Sequence, residues 1–459
     1  MLGKEEDPYI FKSEKEIEKF VGIENYTTRA LNGIGGQFKT LFKDFVVKEI
    51  IANRRVLDIN ENSYGSAFSE ELNDRFTTFN LTKVNMDTFE AIKKIGAALE
   101  IPYHQIYYSG LKDKHSISVQ RISIKGNYVE KLRKLKLHDI FIRNVIPSRK
   151  PVKLGSHLGN NFTIIIRNIE NSKNLKKNSQ KILNFLKRYG FPNYFGLQRF
   201  GNIRPNSHII GYYLLKNDYE NAFNEFVLRT YSTETEESRL VRRNLKNKRN
   251  FEEALQEFPL GLNYERKMIG YLIDHPNDYR GAILSLSADL RRLLVSSFQS
   301  FIFNKMLSLR ISKGLPLFKP VSGDVISILD DINGNISKVY YAYGSLYDKY
   351  LEKALELNRA SIVIPIIGKL TNLDDFPLMH TIFKEIAWKE NISESIFKSN
   401  FVGDDDFKGS IRAMTVKPWD LEMLELTDDE LHDNRKKIKI EFSLQKGSYA
   451  TMLIREFIK

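Results

Sequence analysis

Two short segments carry residue types able to act on a substrate. Residues 110–120 read GLKDKHSISVQ, and within them Asp113 stands between Lys112 and Lys114, just after Gly110. Neighbouring positive charge favours the ionised carboxylate, and an ionised carboxylate can attack an electrophilic carbon or accept a proton. A solvated Asp in a charged turn has the same local sequence, so the segment alone leaves both readings open. Residues 193–201 read NYFGLQRFG. Aromatic rings, an amide and a guanidinium between glycines can stack a base, hydrogen-bond its edge and hold a phosphate. Buried aromatics with a structural Arg are the ordinary alternative.

Missing residue types narrow the chemistry further. The chain has no Cys, which excludes thiol nucleophiles, thiolate metal sites and disulfides. No GxxxxGK[ST] or HExxH motif occurs, residues 33–36 (GIGG) do not complete GxGxxG, and the eight His are scattered without ligand spacing. Neither a metal nor a small-molecule cofactor is expected. Lys and Arg number 70 against 57 Asp and Glu, a net charge of +13, and such a field suits a polyanionic partner. Residues 1–20 lack an apolar leader, and no apolar run approaches the roughly 18 residues of a membrane span. A cytoplasmic protein that spans no membrane is expected.

The elements that must position these segments are partly readable. Residues 87–90 (DTFE) form a capping box, and Phe89, Ile92, Ile95 and Leu99 recur at helical spacing, predicting a helix that stops near Pro102. Residues 106–108 read as a strand running into the Asp113 loop, and residues 162–166 as a buried strand. Residues 438–444 alternate apolar and polar, predicting a half-buried strand. A turn over 445–448 then offers Ser448 as a cap for a helix over 449–458. The acid-then-base run over 234–250 predicts a solvated helix face or surface loop. A chain that ends on a clean strand and helix returns to a core begun at its N-terminus. The predicted division is 1–200, an inserted domain over 201–417, and 418–459 rejoining the first part.

Taken together, these segments resemble the TruD family of pseudouridine synthases. Residues 193–201 reproduce its NYFGxQRFG signature, and residues 110–120 are similar to its GxKDxxAxTxQ motif. Further similarity runs through 39–49 (K-x4-DFxVxE), 159–167 (GNxFxIxxR), Arg204 to His208, Phe298 to Asn304 and Gly447 to Glu456, in the family's order. Ser116 and Ser118 stand where the family usually has Ala and Thr, and Phe42 where it commonly has Pro.

The resemblance implies an α+β protein: a catalytic domain on a mixed, largely antiparallel sheet, interrupted by a family-specific α/β insertion. It implies isomerisation of uridine to pseudouridine in tRNA, at uridine 13 of the D arm, by a cofactor-free monomer. Asp113 is the implied catalytic carboxylate, adding to the sugar C1′ or removing a sugar proton to give a glycal, with Lys39 as the cation beside it. Phe45, Asn193 and Tyr449 are implied uridine contacts and Phe195 a stacking ring, while Lys112, Arg199 and Arg455 make phosphate or structural contacts. The competing readings are a catalytically inactive RNA-binding protein of the same fold and a synthase acting mainly on other RNAs.

Overall fold

The computed structural model describes residues 8–61, 67–71, 73–330, 335–344 and 346–459, with the backbone alone of Lys338, Asp404 and Asp405. Residues 1–7, the start of the stretch read above as free of an apolar leader, lie outside the described residues. The chain divides into two compact units. One comprises residues 27–191 and 416–459, the other 1–26 and 192–415.

The first unit is built on a nine-stranded sheet. Its order is Trp419–Asp428, Arg435–Gln445, Gly159–Glu170, Phe45–Ile50, Ile117–Lys125, Phe76–Val84 and Ile140–Ser148, with Gln37–Phe38 added to Gly159–Glu170 and Ile106–Tyr108 to Ile117–Lys125. Every pairing is antiparallel except that of Phe45–Ile50 with Ile117–Lys125, which run parallel with Val46 opposite Ile117. The C-terminal strand alternates as expected. Ile438, Ile440, Phe442 and Leu444 are buried, and burying such a side chain is worth roughly 1.5–3 kcal/mol.

The helix Thr88–Leu99 is capped by Asp87, which accepts from the Glu90 N–H. Ile92, Ile95 and Leu99 are buried in the cluster beneath the sheet, joined by Ala91. Phe89, expected on that face, is instead half exposed and meets the Tyr108 ring edge-on. The buried stripe centres on Ile92 and Ile95, and Phe89 lies on the far side of Ile92 from Ile95, about 90° from the midline of that stripe. The last helix, Ala450–Ile458, starts one residue later than expected: Tyr449, not Ser448, is the capping position. Its Glu456 accepts from the N–H groups of Thr27 and Thr28, 3.1 Å each.

The second unit combines helices with an antiparallel four-stranded sheet ordered Ile336–Ala342, Val325–Leu329, Ala360–Ile366 and Ser410–Ala413. Its long helix Ala288–Ser312 packs on Ser207–Leu215 so closely that a Cβ on Gly211 would lie 2.2 Å from the Leu294 carbonyl. Residues 8–26 group with this unit, not with the strand that follows them. Tyr9 stacks on Tyr231 at 5.1 Å, and Asn25 donates to the Ser308 carbonyl.

The charge run over 234–250 is only partly solvated. Glu236–Lys248 is a helix, but its Arg242 is buried and bonds Glu234 at 2.8 Å and Glu265 at 2.7 Å, with further bonds to the carbonyls of Phe226 and Val227. Those carbonyls lie in a π-helical turn, Asn224–Leu228. Such a turn breaks the regular α-helical bonding pattern, and Arg242 supplies donors to its carbonyls.

Candidate active site

The parallel pairing within the nine-stranded sheet brings Lys39, Phe45 and Asp113 together. Because Phe45–Ile50 and Ile117–Lys125 run the same way, the loops that enter them meet at one end of the sheet: residues 39–44 on one side, 110–116 on the other. Phe76–Val84 runs opposite to Ile117–Lys125 and delivers its last residues there too, with Lys83 opposite Ser118. At this end Lys39 Nζ lies 2.8 Å from Asp113 Oδ2. The same ammonium sits 4.3 Å from the centroid of the Phe45 ring, a cation–π contact that fixes all three groups relative to one another. The pair remains open to solvent, its side chains 22% and 39% exposed. Lys39 itself has φ 61°, and His115 Nε2 lies 3.1 Å from its carbonyl.

The loop carrying Asp113 is tied down residue by residue. Gln120 donates to the Gly110 carbonyl at 3.1 Å, and the Thr88 hydroxyl donates to Gln120 while accepting from the Lys112 N–H. Ser116, where the family usually has Ala, donates to the Asp113 carbonyl at 2.8 Å. Lys112 does not accompany Asp113 into the open site. Its ammonium forms an ion pair with Glu49 at 2.9 Å, with both side chains under 4% exposed, and Ser109 donates to the same carboxylate. Between the two open readings of Lys112, this geometry is that of a structural base.

Two features were not found in the sequence. Asp44 is buried and held bidentately by Arg167, 2.8 Å at each bond, and a third bond joins Arg167 to Asp429. Asp44 also accepts from the Leu41 N–H, so this cluster anchors the loop that presents Lys39 and Phe45. Burial opposes ionisation of Asp429, but bonds from Asn168, Leu431, His432 and Arg167 overcome it and lower its pKa to about 2. The separate motifs DF and GNxFxIxxR each contributed one half of this pair, but nothing in their spacing links them.

The second is Lys83. Fully buried, it donates to the carbonyls of Asp113, at 2.9 Å, and Met86. Desolvation lowers its pKa to about 8, against the opposing pull of Asp113 and Asp87. A lysine at the end of a Thr-rich strand reads as solvent-facing, and no local pattern marks it otherwise.

The other predicted residues are distributed as follows. Phe45 is buried, edge-on to Phe162. Tyr449 is half-buried at the start of the last helix, and Arg455 is buried within that helix. Asn193, Phe195 and Arg199 belong to the other unit. There Asn193 is buried, donates to the Ala413 carbonyl at 2.9 Å and accepts from Arg412 at 2.6 Å. Phe195 has the Arg412 guanidinium 4.1 Å from its ring centroid, and the Phe303 ring meets it edge-on. Its main chain is gripped by Asn304, which accepts from the Phe195 N–H and donates to its carbonyl. Arg199 bonds Ser296 and Ser300 of the long helix. Within the signature segment Asn193 to Gly196 and Phe200 are buried, whereas the turn Leu197–Arg199 reaches the surface at Gln198.

The TruD model, described as tRNA pseudouridine synthase D, matches residues 20–457. The "Probable tRNA pseudouridine synthase D" of Methanosarcina mazei is 34% identical over 454 residues, covering 97% of this chain and 98% of the relative. The protein of the same name from Thermococcus sibiricus is 32% identical, covering 93% and 96%. The crystal structure of the TruD protein from Methanosarcina mazei superposes with a TM-score of 0.79 at 31% identity, covering 96% of this chain and 98% of that one. A mixed α+β fold of this kind, matched over nearly its whole length, defines a pseudouridine-synthase class. The chain belongs to the TruD family of tRNA pseudouridine synthases. Among the described residues no helix is long and apolar enough to cross a membrane.

Proposed function

We propose that this chain isomerises uridine to pseudouridine in tRNA, at uridine 13 of the D arm, with Asp113 as the catalytic carboxylate. The observation that carries the reading is the half-exposed Asp113 carboxylate, held by Lys39 beside the Phe45 ring where two family motifs converge. The reaction breaks the N1–C1′ bond, turns the uracil, forms a C5–C1′ bond and releases the C5 proton, while N1 gains one. It involves no net oxidation, so a carboxylate suffices. Asp113 either adds to C1′ and is displaced by C5, or removes a sugar proton to give a glycal and later returns it. In both routes Lys39 fixes one carboxylate oxygen and offers a counter-charge. The target base must leave its stack to reach the site, and an apolar ring such as Phe45 suits its face.

In this reading residues 27–191 and 416–459 form the catalytic unit, and 192–415 contain the family-specific insertion. Tyr449 contacts the uracil, and Asn193 keeps hydrogen-bonding capacity beyond its two bonds, since an amide carries two hydrogens and two lone pairs. The enzyme acts as a cytoplasmic monomer without a cofactor. The test is incubation with unmodified tRNA followed by carbodiimide mapping of pseudouridine. Modification at uridine 13 by the wild type and none by Asp113→Asn is expected. Turnover by Asp113→Asn near the wild-type rate would remove Asp113 from the reaction, and modification elsewhere would correct the site.

A further inference from the structure

Three lysines surround the main chain and side chain of Asp113, and each does something different. Lys39 bonds its carboxylate, Lys112 turns away to Glu49, and Lys83 bonds its backbone carbonyl from beneath. We infer that Lys83 is a positioning residue for the reaction: its buried ammonium pins the Asp113 and Met86 carbonyls, sets the height of the loop and so aims the carboxylate at Lys39 and the substrate. The inference rests on the reading of Asp113 as the catalytic carboxylate.

The physical case starts from cost. A lysine is almost never fully buried unless its charge is compensated, and here the ammonium has two carbonyls and no carboxylate hydrogen-bonded to it in the described structure. An apolar residue would have filled the space at the end of Phe76–Val84 more cheaply. What an apolar residue cannot do is hold the Asp113 carbonyl from the strand side while Ser116 holds it from within the loop. The charged groups facing Lys83 are Asp113, Asp87 and Glu90, which favour the ammonium, and Lys112, which opposes it. Asp87 and Glu90 lie on the capped start of the helix Thr88–Leu99. Lys83 therefore touches, at one point, the catalytic loop and the turn leading into that helix.

The lowered pKa, caused chiefly by burial, makes the charge of Lys83 adjustable by pH. With a value of about 8, the ammonium is largely charged at neutral pH and loses its proton in mild alkali. A neutral amine still has two hydrogens, but it donates more weakly and no longer opposes the charge of Asp113.

The experiment measures single-turnover pseudouridine formation at saturating tRNA between pH 6.5 and about 9.5, where the lysine titrates. Wild type, Lys83→Met and Lys83→Arg are compared, with Asp113→Asn in parallel and tRNA affinity and thermal unfolding recorded for each. The wild-type rate is expected to fall as pH rises through about 8, and in Lys83→Arg, which stays charged, that fall should move to higher pH. Lys83→Met should be slower by on the order of 100-fold at neutral pH, the scale of an ångström-sized misplacement, with affinity within a few-fold. A folded Lys83→Met within about twofold of the wild-type rate would overturn the inference, since a misplaced loop costs far more than that. If that variant does not fold, an alkaline limb in Lys83→Arg unchanged from wild type overturns it instead. Retained turnover by Asp113→Asn would sink the reading of the site together with this inference, whereas a dead Asp113→Asn beside a fast Lys83→Met sinks this inference alone.

Discussion

Lys112 and Asp113 are consecutive in the chain, yet they enter ion pairs of opposite kinds. Both partners come from the same motif, Glu49 for Lys112 and Lys39 for Asp113. The Lys112–Glu49 pair is sealed from water and shares its carboxylate with Ser109 and with the Arg121 N–H. The Lys39–Asp113 pair is open, and its carboxylate points where a substrate can reach it. A buried pair whose carboxylate already accepts three bonds is shut off from a substrate and holds the two loops in register. An open pair contributes little stability and keeps its chemistry available. Both are Lys–carboxylate pairs at 2.8–2.9 Å, and what separates them is burial.

Substitutions can break this comparison. The largest expected effect is at the open pair: Asp113→Asn should lower pseudouridine formation more than ~10³-fold, the scale of losing a nucleophile or general base, with little change in unfolding free energy. At the sealed pair the pattern should invert. Lys112→Met leaves Glu49 charged and buried, and should cost about 3–5 kcal/mol in denaturant unfolding. Adding Glu49→Leu should recover much of it, since a buried pair replaced as a whole is often neutral. If Lys112→Met instead leaves stability intact and abolishes turnover, the division between the pairs is wrong.

The anchoring cluster makes a smaller, pH-dependent contribution. The pKa of Asp429 falls from 3.8 in the unfolded chain to about 2 in the fold, so the folded state favours the ionised form. Its stabilisation is fully present above pH 4 and lost as pH falls through 2, on the order of 2 kcal/mol. Unfolding measured across that window should show a shallower acid slope in Asp429→Asn than in wild type; equal slopes would mean the carboxylate is not stabilised. The smallest stability effect belongs to Lys39→Met, within about 1 kcal/mol for a half-exposed pair. Its turnover should nonetheless fall markedly, which separates orientation of Asp113 from any role in holding the fold.

Much of this was legible in the sequence because the informative residues are local. The capped helix after Asp87, the alternating strand before Gln445 and the Asp113 loop each follow from short-range spacing. Lys83, Arg167 and Asp44 were not legible, because their meaning depends on which strands become neighbours, and no period in the chain reports that. The same reason explains Arg242, whose run of flanking bases reads as solvated until the π-helical turn places free carbonyls beside it. Residues 8–26, grouped by the sequence reading with residues up to 200, fall in the other unit, where Tyr9 stacks on Tyr231.

The position of Arg435–Gln445 in the sheet has a consequence for how the molecule is made. This strand lies second from one edge and covers Gly159–Glu170 along ten paired positions, although the whole of residues 192–415 intervenes in the chain. Until it arrives, Gly159–Glu170 presents a bare row of donors and acceptors beside Ile164 and Ile166, a template for pairing with any other chain. Such non-local pairing is also intrinsically slow. Chains interrupted before Arg435 should therefore aggregate through that edge, and the last strand acts as the molecule's own guard against self-association.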